Sequence, residues 1–427
     1  MLPVERAALQ VPALVIDLEL RSAVRDESDK ISVDPYRSLW CLARIDEIPI
    51  DISFWDVSHD SVISRTDLRC QLLNSLGDDV KPKMAFPQAS FNGSEITVVI
   101  CTQDRPDGLR STLASLQSQT DSNFRVLVVD NGSPNSGTAA VTEELALSGW
   151  EYIVEPRRGL SRARNRGLHK VQTSHIAWLD DDEIADRQWV HRIKQGFSHD
   201  SRPVAVCGFM LPAELEYEAQ VRFEQYGGFN KGRGPDPEVL KVGAPSVVSP
   251  LYPLPTFGPG GNMAFITDHL RAIGGFDPFL GAGTPTHGCE EMLAFSQLLA
   301  AGNTVLHWPA AITWHTHRRD MVALQKQFYG FSAGITAFYA STIRSKPSAV
   351  FEMLRLLPCA WRDMRGKSDN VRSGHLPEDF PPELLKAWRR GLIAGGPMYV
   401  YEILRSGLSQ KVSSSSLAEV GDSASGA

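Results

Sequence analysis

The alternation of apolar and polar positions divides the chain into three parts. Residues 1–92 contain short apolar runs at 13–18 and 38–45 and a helical pattern at 64–76, which together predict a small, mostly β accessory domain. From residue 95 onward, apolar runs alternate with amphipathic segments of helical period. After about residue 320 the pattern becomes helical throughout.

The middle part, residues 95–335, alternates strands with helices. The pattern predicts strands at 96–101, 124–130, 151–154 and 174–179, separated by helices at 108–119, 138–147 and 160–170. This alternation is typical of an α/β fold with a mostly parallel sheet covered on both faces. A helical C-terminal extension is expected at 336–410, followed at 411–427 by a Ser/Gly/Ala-rich tail whose composition indicates disorder.

A cluster of consecutive carboxylates, from Asp180 to Asp182, follows the apolar run 174–179. Carboxylates this close repel one another unless a cation offsets their charge, and oxygen ligands suit Mg²⁺ or Mn²⁺. The cluster therefore suggests a metal site. An alternative is an acidic loop that leads into a helix beginning at Asp186, and this stretch alone favours neither hypothesis.

Other polar residues follow neighbouring strands of the predicted sheet. Thr102, Asp104, Asp130 and Asn131 should meet the acidic cluster at the carboxyl edge, where open α/β sheets bind ligands. The loop 101–106 lacks the Gly-x-Gly-x-x-Gly pattern of a dinucleotide site. A nucleotide would therefore have to be held by side chains and metal.

The helix at 160–170 is strongly basic. Arg158, Arg162 and Arg166 recur on one face, and Arg164 lies on another. A basic run of this kind is usually a solvated helix face, but arginine also forms bidentate contacts with phosphate. We expect Arg164 in particular to face a diphosphate.

Composition limits the classes of function and the compartment. The formal charge of −7 and the pI near 5.9 argue against a general nucleic-acid binder. Six scattered cysteines, without metal-ligand spacing, indicate reduced thiols in a cytoplasmic protein. We recognise no signal peptide and no apolar run long enough to span a membrane. The basic, amphipathic C-terminal helices either pack on the rest of the chain or make a peripheral contact with the inner face of the membrane.

The order of several motifs resembles the family 2 inverting glycosyltransferases of the GT-A fold. These motifs are Val-Asp-Asn-Gly-Ser at 129–133, Gly-Leu-Ser-Arg-Ala-Arg-Asn-Arg-Gly at 159–167 and Leu-Asp-Asp-Asp at 179–182. Further motifs agree at 257–265, 273–277, 288–291 and 314–318. The resemblance covers residues 95–335 and implies a nucleoside-diphosphate sugar donor.

The resemblance also implies roles for individual residues on the donor side. It assigns Asp130 to the nucleotide base, Thr102 and Asp104 to its surroundings, and Asp180 and Asp182 to ribose and metal. Asp181 lies between the last two, and the remaining donor-binding candidates are Arg164, Gly261 and Asn262.

The acceptor side should carry a carboxylate base. The family usually has Glu-Asp where this chain has Glu290 and Glu291, so Glu291 is the expected base and Glu290 its neighbour. Their alternative is an acidic helix N-terminus without a catalytic role. His315, and after it His317, are candidates for a metal-bound imidazole, and their alternative is a polar strand end.

These expectations describe a Mn²⁺- or Mg²⁺-dependent hexosyltransferase-like enzyme. It would move a sugar, with inversion, to a hydroxyl of a glycan, a lipid or a small-molecule glycoside. A sugar nucleotidyltransferase is one alternative, but such an enzyme would need a Gly-rich phosphate-binding loop after the first strand, which the loop 101–106 lacks. A catalytically inactive carbohydrate-binding or scaffold protein is the other, and the replacement of the usual Asp by Glu291 is the best sequence support for it.

Overall fold

A computed structural model describes residues 9–21, 29–77, 80–81, 96–145, 149–245, 247, 249–252, 257–364 and 376–422. Side chains within 360–364 and 407–422 are not described. The Lys/Pro-containing segment 81–83 and the segment 87–94 are interpreted from sequence as a linker, and all of it except residue 81 lies outside the described residues.

The N-terminal segment is mostly β-structure. Three strands form one sheet in the order β1-β3-β4, and two short strands, β2 and β5, pair with each other. The bounds are β1 Ala13–Glu19, β2 Lys30–Ser32, β3 Ser38–Ile45, β4 Ile48–Asp56 and β5 Val62–Ser64. Helix α1, Arg65–Leu76, begins after Ser64, whose hydroxyl accepts a hydrogen bond from the Asp67 amide at 3.1 Å.

This small sheet packs against the rest of the molecule. Trp40 and Phe54 are buried in one cluster with Phe209 and Ile312 of the main sheet. The amide of Ala13 also donates to the carbonyl of Leu215 at 2.8 Å. The N-terminal segment therefore packs against the part of the main sheet that contains Phe209 and Ile312.

The main sheet contains nine strands of the described residues, in the order β10-β14-β11-β13-β9-β6-β7-β8, with β12 also paired to β14. Six run in one direction, and β10, β12 and β13 run against them. The bounds are β6 Ile96–Thr102, β7 Phe124–Asp130, β8 Trp150–Val154, β9 His175–Leu179, β10 Glu183–Ala185, β11 Ala205–Pro212, β12 Glu238–Leu240, β13 Asn262–Ile266 and β14 Val305–His315.

Helices cover both faces of this sheet. They are α2 Pro106–Gln117, α3 Gly137–Leu145, α4 Leu160–Lys170, α5 Trp189–Phe197, α6 Glu218–Gln225, α7 Thr267–Ala272 and α8 Glu290–Ala300. Two large apolar cores lie on opposite faces because central strands such as β6, Ile-Thr-Val-Val-Ile-Cys-Thr, are buried on both sides. The predicted α/β fold with a mostly parallel, helix-covered sheet is confirmed.

Three helices complete the chain: α9 Met321–Ser345, α10 Ala349–Met364 and α11 Pro382–Asp422. Helix α11 packs closely along α9, because a Cβ on Gly395 would lie only 1.8 Å from the carbonyl oxygen of Ala333. The helix extends to Asp422 and so includes part of the segment for which composition indicates disorder. Within the described residues, no helix combines the length and apolar character needed to cross a membrane.

The structure differs from the sequence prediction just after the acidic cluster. The helix expected from Asp186 begins at Trp189, and residues 183–185 form the short strand β10 instead. This strand pairs with β14 and sets Glu183 opposite His315. A strand of three residues is too short to show the alternation of apolar and polar positions, and its partner strand is distant in sequence. The hydrophobic pattern therefore could not reveal β10. The acids consequently lie in a tight turn between two strands.

Candidate functional site

A crevice of about 730 Å³ opens at the carboxyl edge of the main sheet. Thr102, Asn131 and the acids 180–182 line it from the ends of β6, β7 and β9. His315 and part of α9 form the opposite wall. The expected convergence of strand ends is therefore present for these residues, whereas Asp104 and Asp130 are not among those that line the crevice.

Asp181 and Asp182 are held by hydrogen bonds and opposite charge. Asp181 accepts from the Thr102 hydroxyl at 2.7 Å, and both aspartates accept from the Arg105 guanidinium, at 3.1 Å and 3.0 Å. Burial raises the pKa of Asp181 to about 6 although Arg105 opposes the shift. Burial would also raise the pKa of Asp182, but neighbouring positive charge, including that of Arg105 and Arg318, holds that pKa below its usual range.

Arg105 is the cation that sequence reasoning missed. Its side chain is nearly half exposed and borders the crevice, as do Arg318 and Lys326 from the opposite wall. Arg105 follows the first strand of the sheet and precedes Pro106, the first residue of α2. The sequence signal that could have revealed Arg105 is a basic residue in the first loop at the carboxyl edge of the sheet. These cations offset the acids and could also bind phosphate.

The two remaining donor-side aspartates have other partners. Asp130 is buried and accepts from the Tyr152 hydroxyl at 2.6 Å and from the Ser133 amide at 2.7 Å. Asp104 is exposed and accepts from Asn135 at 3.1 Å. Both side chains therefore organise loops beside the crevice, so a direct contact between either one and the nucleotide remains a prediction.

Arg164 does not lie where the basic-helix pattern suggested. It is 1% exposed, and its guanidinium contacts Glu290 at 2.7 Å, Asp180 at 3.3 Å and the Gly260 carbonyl at 3.0 Å. These acceptors surround the cation, which leaves little of it for a diphosphate. The side chain of Arg164 therefore joins the acidic turn to the N-terminus of α8, and a contact between Arg164 and a diphosphate stays a prediction.

Glu290 and Glu291 have different surroundings. Glu290 is buried against Arg164, and burial together with the charge of Glu291 raises the pKa of Glu290 while the charge of Arg164 opposes this shift. Glu291 is half-buried and lines a second cavity of about 180 Å³. This second cavity shares Asp180, His315 and several other wall residues with the crevice. A carboxylate at Glu291 thus faces a space adjoining the acidic turn, whereas Glu290 is occupied by an ion pair.

The turn 258–261 lines the second cavity and lies directly against the acidic turn. A Cβ on Gly261 would meet a carboxylate oxygen of Glu183 at 1.7 Å and one of Asp180 at 2.8 Å, so a larger residue would displace the acids. Gly261 also lines the second cavity.

Asn262, the neighbour of Gly261, requires a correction. Its amide is fully buried, accepts from the Trp189 indole at 2.9 Å and donates to the Ala311 carbonyl at 2.9 Å. It also donates to the Thr313 hydroxyl at 3.2 Å. The side chain of Asn262 therefore ties strands β13 and β14 together, and it does not reach either cavity.

The two histidines are not equivalent. His315 ends β14 with its Nε2 3.6 Å from Asp182 Oδ1, whereas His317 contacts the other side of His315. The two Nδ1 atoms are 2.9 Å apart, and Nε2 of His317 is 3.0 Å from Glu224. Burial lowers the pKa of His317. His315 is thus the histidine that adjoins the acids, and the alternative assignment of His317 as a direct metal ligand is not supported by this placement.

The donor set fits a divalent ion only in part. In the portion of the chain that the structure describes, no three His, Cys, Asp or Glu side chains come together closely enough to hold a metal by themselves. Asp182 and His315 nevertheless present a carboxylate and an imidazole to the same space, with Asp180 nearby. Mg²⁺ and similar ions are commonly bound by one or two carboxylates, with substrate phosphates completing the set.

Comparisons with known proteins agree with the motif pattern. Residues 97–239 match the model of the family described as glycosyl transferase family 2. A pre-mycofactocin glycosyltransferase of Mycobacterium tuberculosis is 29% identical over 255 residues, covering 58% of this chain and 48% of the relative. A glucosyl-dolichyl phosphate glucuronosyltransferase of Haloferax volcanii is 21% identical over 204 residues, covering 45% and 59%. The chain thus spans about half the length of the curated relatives it matches.

Among solved structures, the mannosyltransferase PcManGT from Pyrobaculum calidifontis, in complex with GDP-Man and Mn²⁺, is similar at a TM-score of 0.46. The identity is 14%, and the match covers 73% of this chain and 91% of that one. At these values the likeness carries no argument about activity. The resemblance to family 2 that the motifs indicated is confirmed by the family match.

The position of Arg164 generates a prediction about stability. Arg164→Met should lower the unfolding free energy of the ligand-free protein by about 3–5 kcal/mol, because Glu290 and Asp180 would lose the buried cation between them. Urea unfolding measures this loss. Arg166→Met, an exposed position on the same helix, should change stability by less than about 0.5 kcal/mol. Unchanged stability in Arg164→Met, together with weakened nucleotide binding, would restore the phosphate-facing hypothesis.

Proposed function

Residues 97–239 form a glycosyl transferase family 2 domain, and from this premise we propose that the chain transfers a sugar from a nucleoside diphosphate to an acceptor hydroxyl with inversion. The observation that carries the proposal is the pair of adjoining cavities. One holds the acidic turn with its bordering cations, the other holds Glu291, and they share Asp180 and His315 in their walls. This arrangement supports a donor on one side and an acceptor on the other.

On the donor side, the charges of the crevice suit a diphosphate. Arg105 and Lys326 border the space from opposite walls, and Arg318 adds a third cation. We propose that Asp182 and His315, with Asp180, hold Mn²⁺ or Mg²⁺ beside the phosphates. When bound, such an ion offsets the negative charge that develops on the leaving diphosphate. Thr102 and Arg105 keep the turn in place through their bonds to the aspartates.

On the acceptor side, Glu291 is the proposed general base. It lines the second cavity, and no ion pair of the described residues occupies its carboxylate, in contrast to Glu290. In the reaction, an acceptor hydroxyl would pass its proton to Glu291 while its oxygen forms the bond to the anomeric carbon and the bond to the diphosphate breaks. The buried Arg164–Glu290 pair would fix the start of α8, which carries Glu291.

The alternatives make different demands. A nucleotidyltransferase would consume a nucleoside triphosphate and release pyrophosphate, whereas a transferase releases a nucleoside diphosphate. A carbohydrate-binding scaffold would bind the donor without consuming it. Measuring nucleoside diphosphate release from nucleotide sugars with Mn²⁺ and a panel of acceptors, and pyrophosphate release from nucleoside triphosphates with sugar phosphates, separates these three functions.

The C-terminal helices suggest where the acceptor comes from. Phe351, Leu354 and Leu357 form an outward stripe on α10 and are 67%, 56% and 58% exposed. The exposed cations Lys346 and Arg355 border this stripe. We propose that it rests on an anionic lipid surface and that the acceptor is lipid-linked, consistent with a cytoplasmic enzyme in peripheral contact with the membrane. The relative named for a dolichyl phosphate substrate supports a lipid acceptor.

The exposed face of α11 supports the same orientation. Val400, Tyr401 and Leu404 are more than half exposed, and the adjacent Tyr399 donates to Asp277 beside the C-terminal end of α9. Arg344, in the last turn of α9, contacts the same Asp277. Since α10 begins a few residues after α9 ends, the apolar surfaces of α10 and α11 lie at the same end of the helical layer.

Donor binding should depend on metal and on the acidic turn. Asp182→Asn should weaken binding of UDP or GDP, whichever the protein prefers, by at least tenfold in the presence of Mn²⁺, because one charged oxygen ligand is lost. Isothermal titration calorimetry measures the affinity, and Asp268→Asn, an exposed carboxylate on α7, serves as control. Equal affinity of the unmodified protein in EDTA and in Mn²⁺ would contradict the metal assignment.

Glu291 and Glu290 can be separated by amide substitution. Glu291→Gln should lower the rate of transfer by about 10²–10⁴-fold with little change in donor affinity, because it removes only the proton acceptor. Glu291→Asp, which restores the residue usual in the family, should retain more activity than Glu291→Gln. Glu290→Gln should mainly reduce stability, because it weakens the pair with Arg164. If Glu290→Gln abolished transfer in a folded protein while Glu291→Gln did not, the assignment would be reversed.

Membrane contact has its own test. Replacing Phe351, Leu354 and Leu357 together by Ser should abolish co-sedimentation with phosphatidylglycerol vesicles and leave donor binding intact. Val322→Ser is the matched control, because Val322 is 60% exposed at the other end of α9, roughly 40 Å away. Vesicle binding unaffected by the triple substitution would refute this surface. A dimer that the triple substitution dissociates in gel filtration would identify a second copy of the chain as the occupant instead.

A further inference from the structure

A line of polar contacts leads from the acidic turn through His315, in the wall of the crevice, to Glu224 on α6. It runs from Asp182 to His315 at 3.6 Å, from His315 to His317 at 2.9 Å, and from His317 to Glu224 at 3.0 Å. The histidine side chains are 9% and 1% exposed. Glu224 belongs to α6 and His317 to the loop after β14, so the line joins separate parts of the chain.

The chemistry of each partner fixes the direction of the hydrogen bonds. A carboxylate can only accept, so Nε2 of His317 donates to Glu224. A neutral imidazole that donates a hydrogen bond from one nitrogen accepts one at the other. Nδ1 of His317 therefore accepts a hydrogen bond from Nδ1–H of His315. Nε2 of His315 is then left with a lone pair, and this lone pair faces Oδ1 of Asp182.

Two acceptors that face one another repel unless a donor or a cation lies between them. The distance of 3.6 Å between His315 Nε2 and Asp182 Oδ1 is longer than a direct hydrogen bond. The tautomer that Glu224 selects is the one in which His315 can donate its lone pair to a metal.

We infer that Glu224 and His317 are positioning residues that orient His315 and fix its tautomer, so that its Nε2 binds the divalent ion. This inference rests on the proposed metal site at Asp182 and His315 and extends it to two residues that do not touch the ion. Partners of this kind typically change metal affinity by about 10–100-fold when they are replaced.

Packing offers a competing explanation for the same residues. The ring of His317 lies 4.9 Å from that of Phe223 and 5.6 Å from that of Phe229, measured between centroids. An aromatic ring that merely filled this pocket could be replaced by another ring. A ring that must accept a hydrogen bond at Nδ1 could not be replaced by a ring without an acceptor. The two explanations therefore make opposite predictions for two substitutions at one position.

The decisive experiment compares His317→Asn with His317→Phe. Asparagine loses the ring but places an amide oxygen close to the position of Nδ1, whereas phenylalanine keeps the ring and loses the acceptor. Mn²⁺ binding is measured by electron paramagnetic resonance in the presence of UDP and, in parallel, GDP. Electron spin echo modulation from a coordinated imidazole nitrogen reports directly whether His315 is bound to the ion.

We expect His317→Asn to keep the nitrogen modulation and a Mn²⁺ affinity within about threefold of the unmodified protein. His317→Phe should lose the modulation and bind Mn²⁺ about 10–100-fold more weakly. Glu224→Gln, which retains an acceptor oxygen, should resemble the unmodified protein, and Glu224→Leu should resemble His317→Phe. Thermal unfolding of every variant confirms that it is folded.

The other outcomes identify which proposal fails. If the unmodified protein shows no nitrogen modulation and His315→Leu binds Mn²⁺ normally, the metal role of His315 fails, and this inference fails with it. If His315→Leu abolishes the modulation but His317→Phe retains it, only the positioning role is overturned. An equal loss of nitrogen modulation and Mn²⁺ affinity in His317→Asn and His317→Phe would also overturn the positioning role, since a hydrogen-bond acceptor at residue 317 would then have no effect on metal binding.

Discussion

One buried cation holds the two halves of the site together. Arg164 comes from the middle of α4 and reaches Asp180 in the acidic turn and Glu290 at the start of α8. Glu290 could not lie in this interior without a partner, since an isolated buried charge costs several kcal/mol. The cation therefore sets how far the donor-side acids lie from the helix that carries Glu291. Arg164, from a basic motif that resembles a ligand-binding face, thus connects the acidic turn to the start of α8 in the structure.

The same electrostatic constraint organises the rest of the crevice. Three consecutive aspartates would repel one another, and each has a different offset. Asp180 has Arg164, Asp181 has Thr102 and Arg105, and Asp182 has Arg105. The offsets differ in accessibility, because Arg164 is fixed in the core whereas Arg105 is nearly half exposed. A diphosphate with its metal can therefore compete for Arg105 without disturbing the fold.

The C-terminal helices link this chemistry to the surface of the molecule. The beginning of α9 contributes Lys326, Gln327 and Phe331 to the crevice, while its other end is followed by the exposed apolar stripe of α10. Close packing between α9 and α11, made possible by Gly391 and Gly395, makes these helices one layer. An acceptor held at a lipid surface would thus be presented by the same layer that closes the donor crevice.

The sequence by itself determined the α/β fold and the strand ends that form the site. Buried parallel strands such as β6 need unbroken apolar runs, and loops at the carboxyl edge need polar residues, so both features are visible in a single chain. It also indicated the resemblance to family 2, which the match over residues 97–239 bears out, since motif order survives where overall identity is low. Of the donor-side candidates, Thr102 and the acids 180–182 line the crevice as expected.

Only the tertiary structure decided which side chains are free to act. Arg164 and Asn262 lie in motifs that indicate ligand binding, yet the side chains of both are engaged by partners far away in sequence, Arg164 by Glu290 and Asn262 by Ala311. Strand β10 is too short to carry a period, but it brings His315 beside Asp182. The physical reason is common to these cases. Local sequence patterns report whether a position is apolar or polar, whereas the partner that neutralises a buried charge or fixes a tautomer is supplied by a distant segment that only folding brings close.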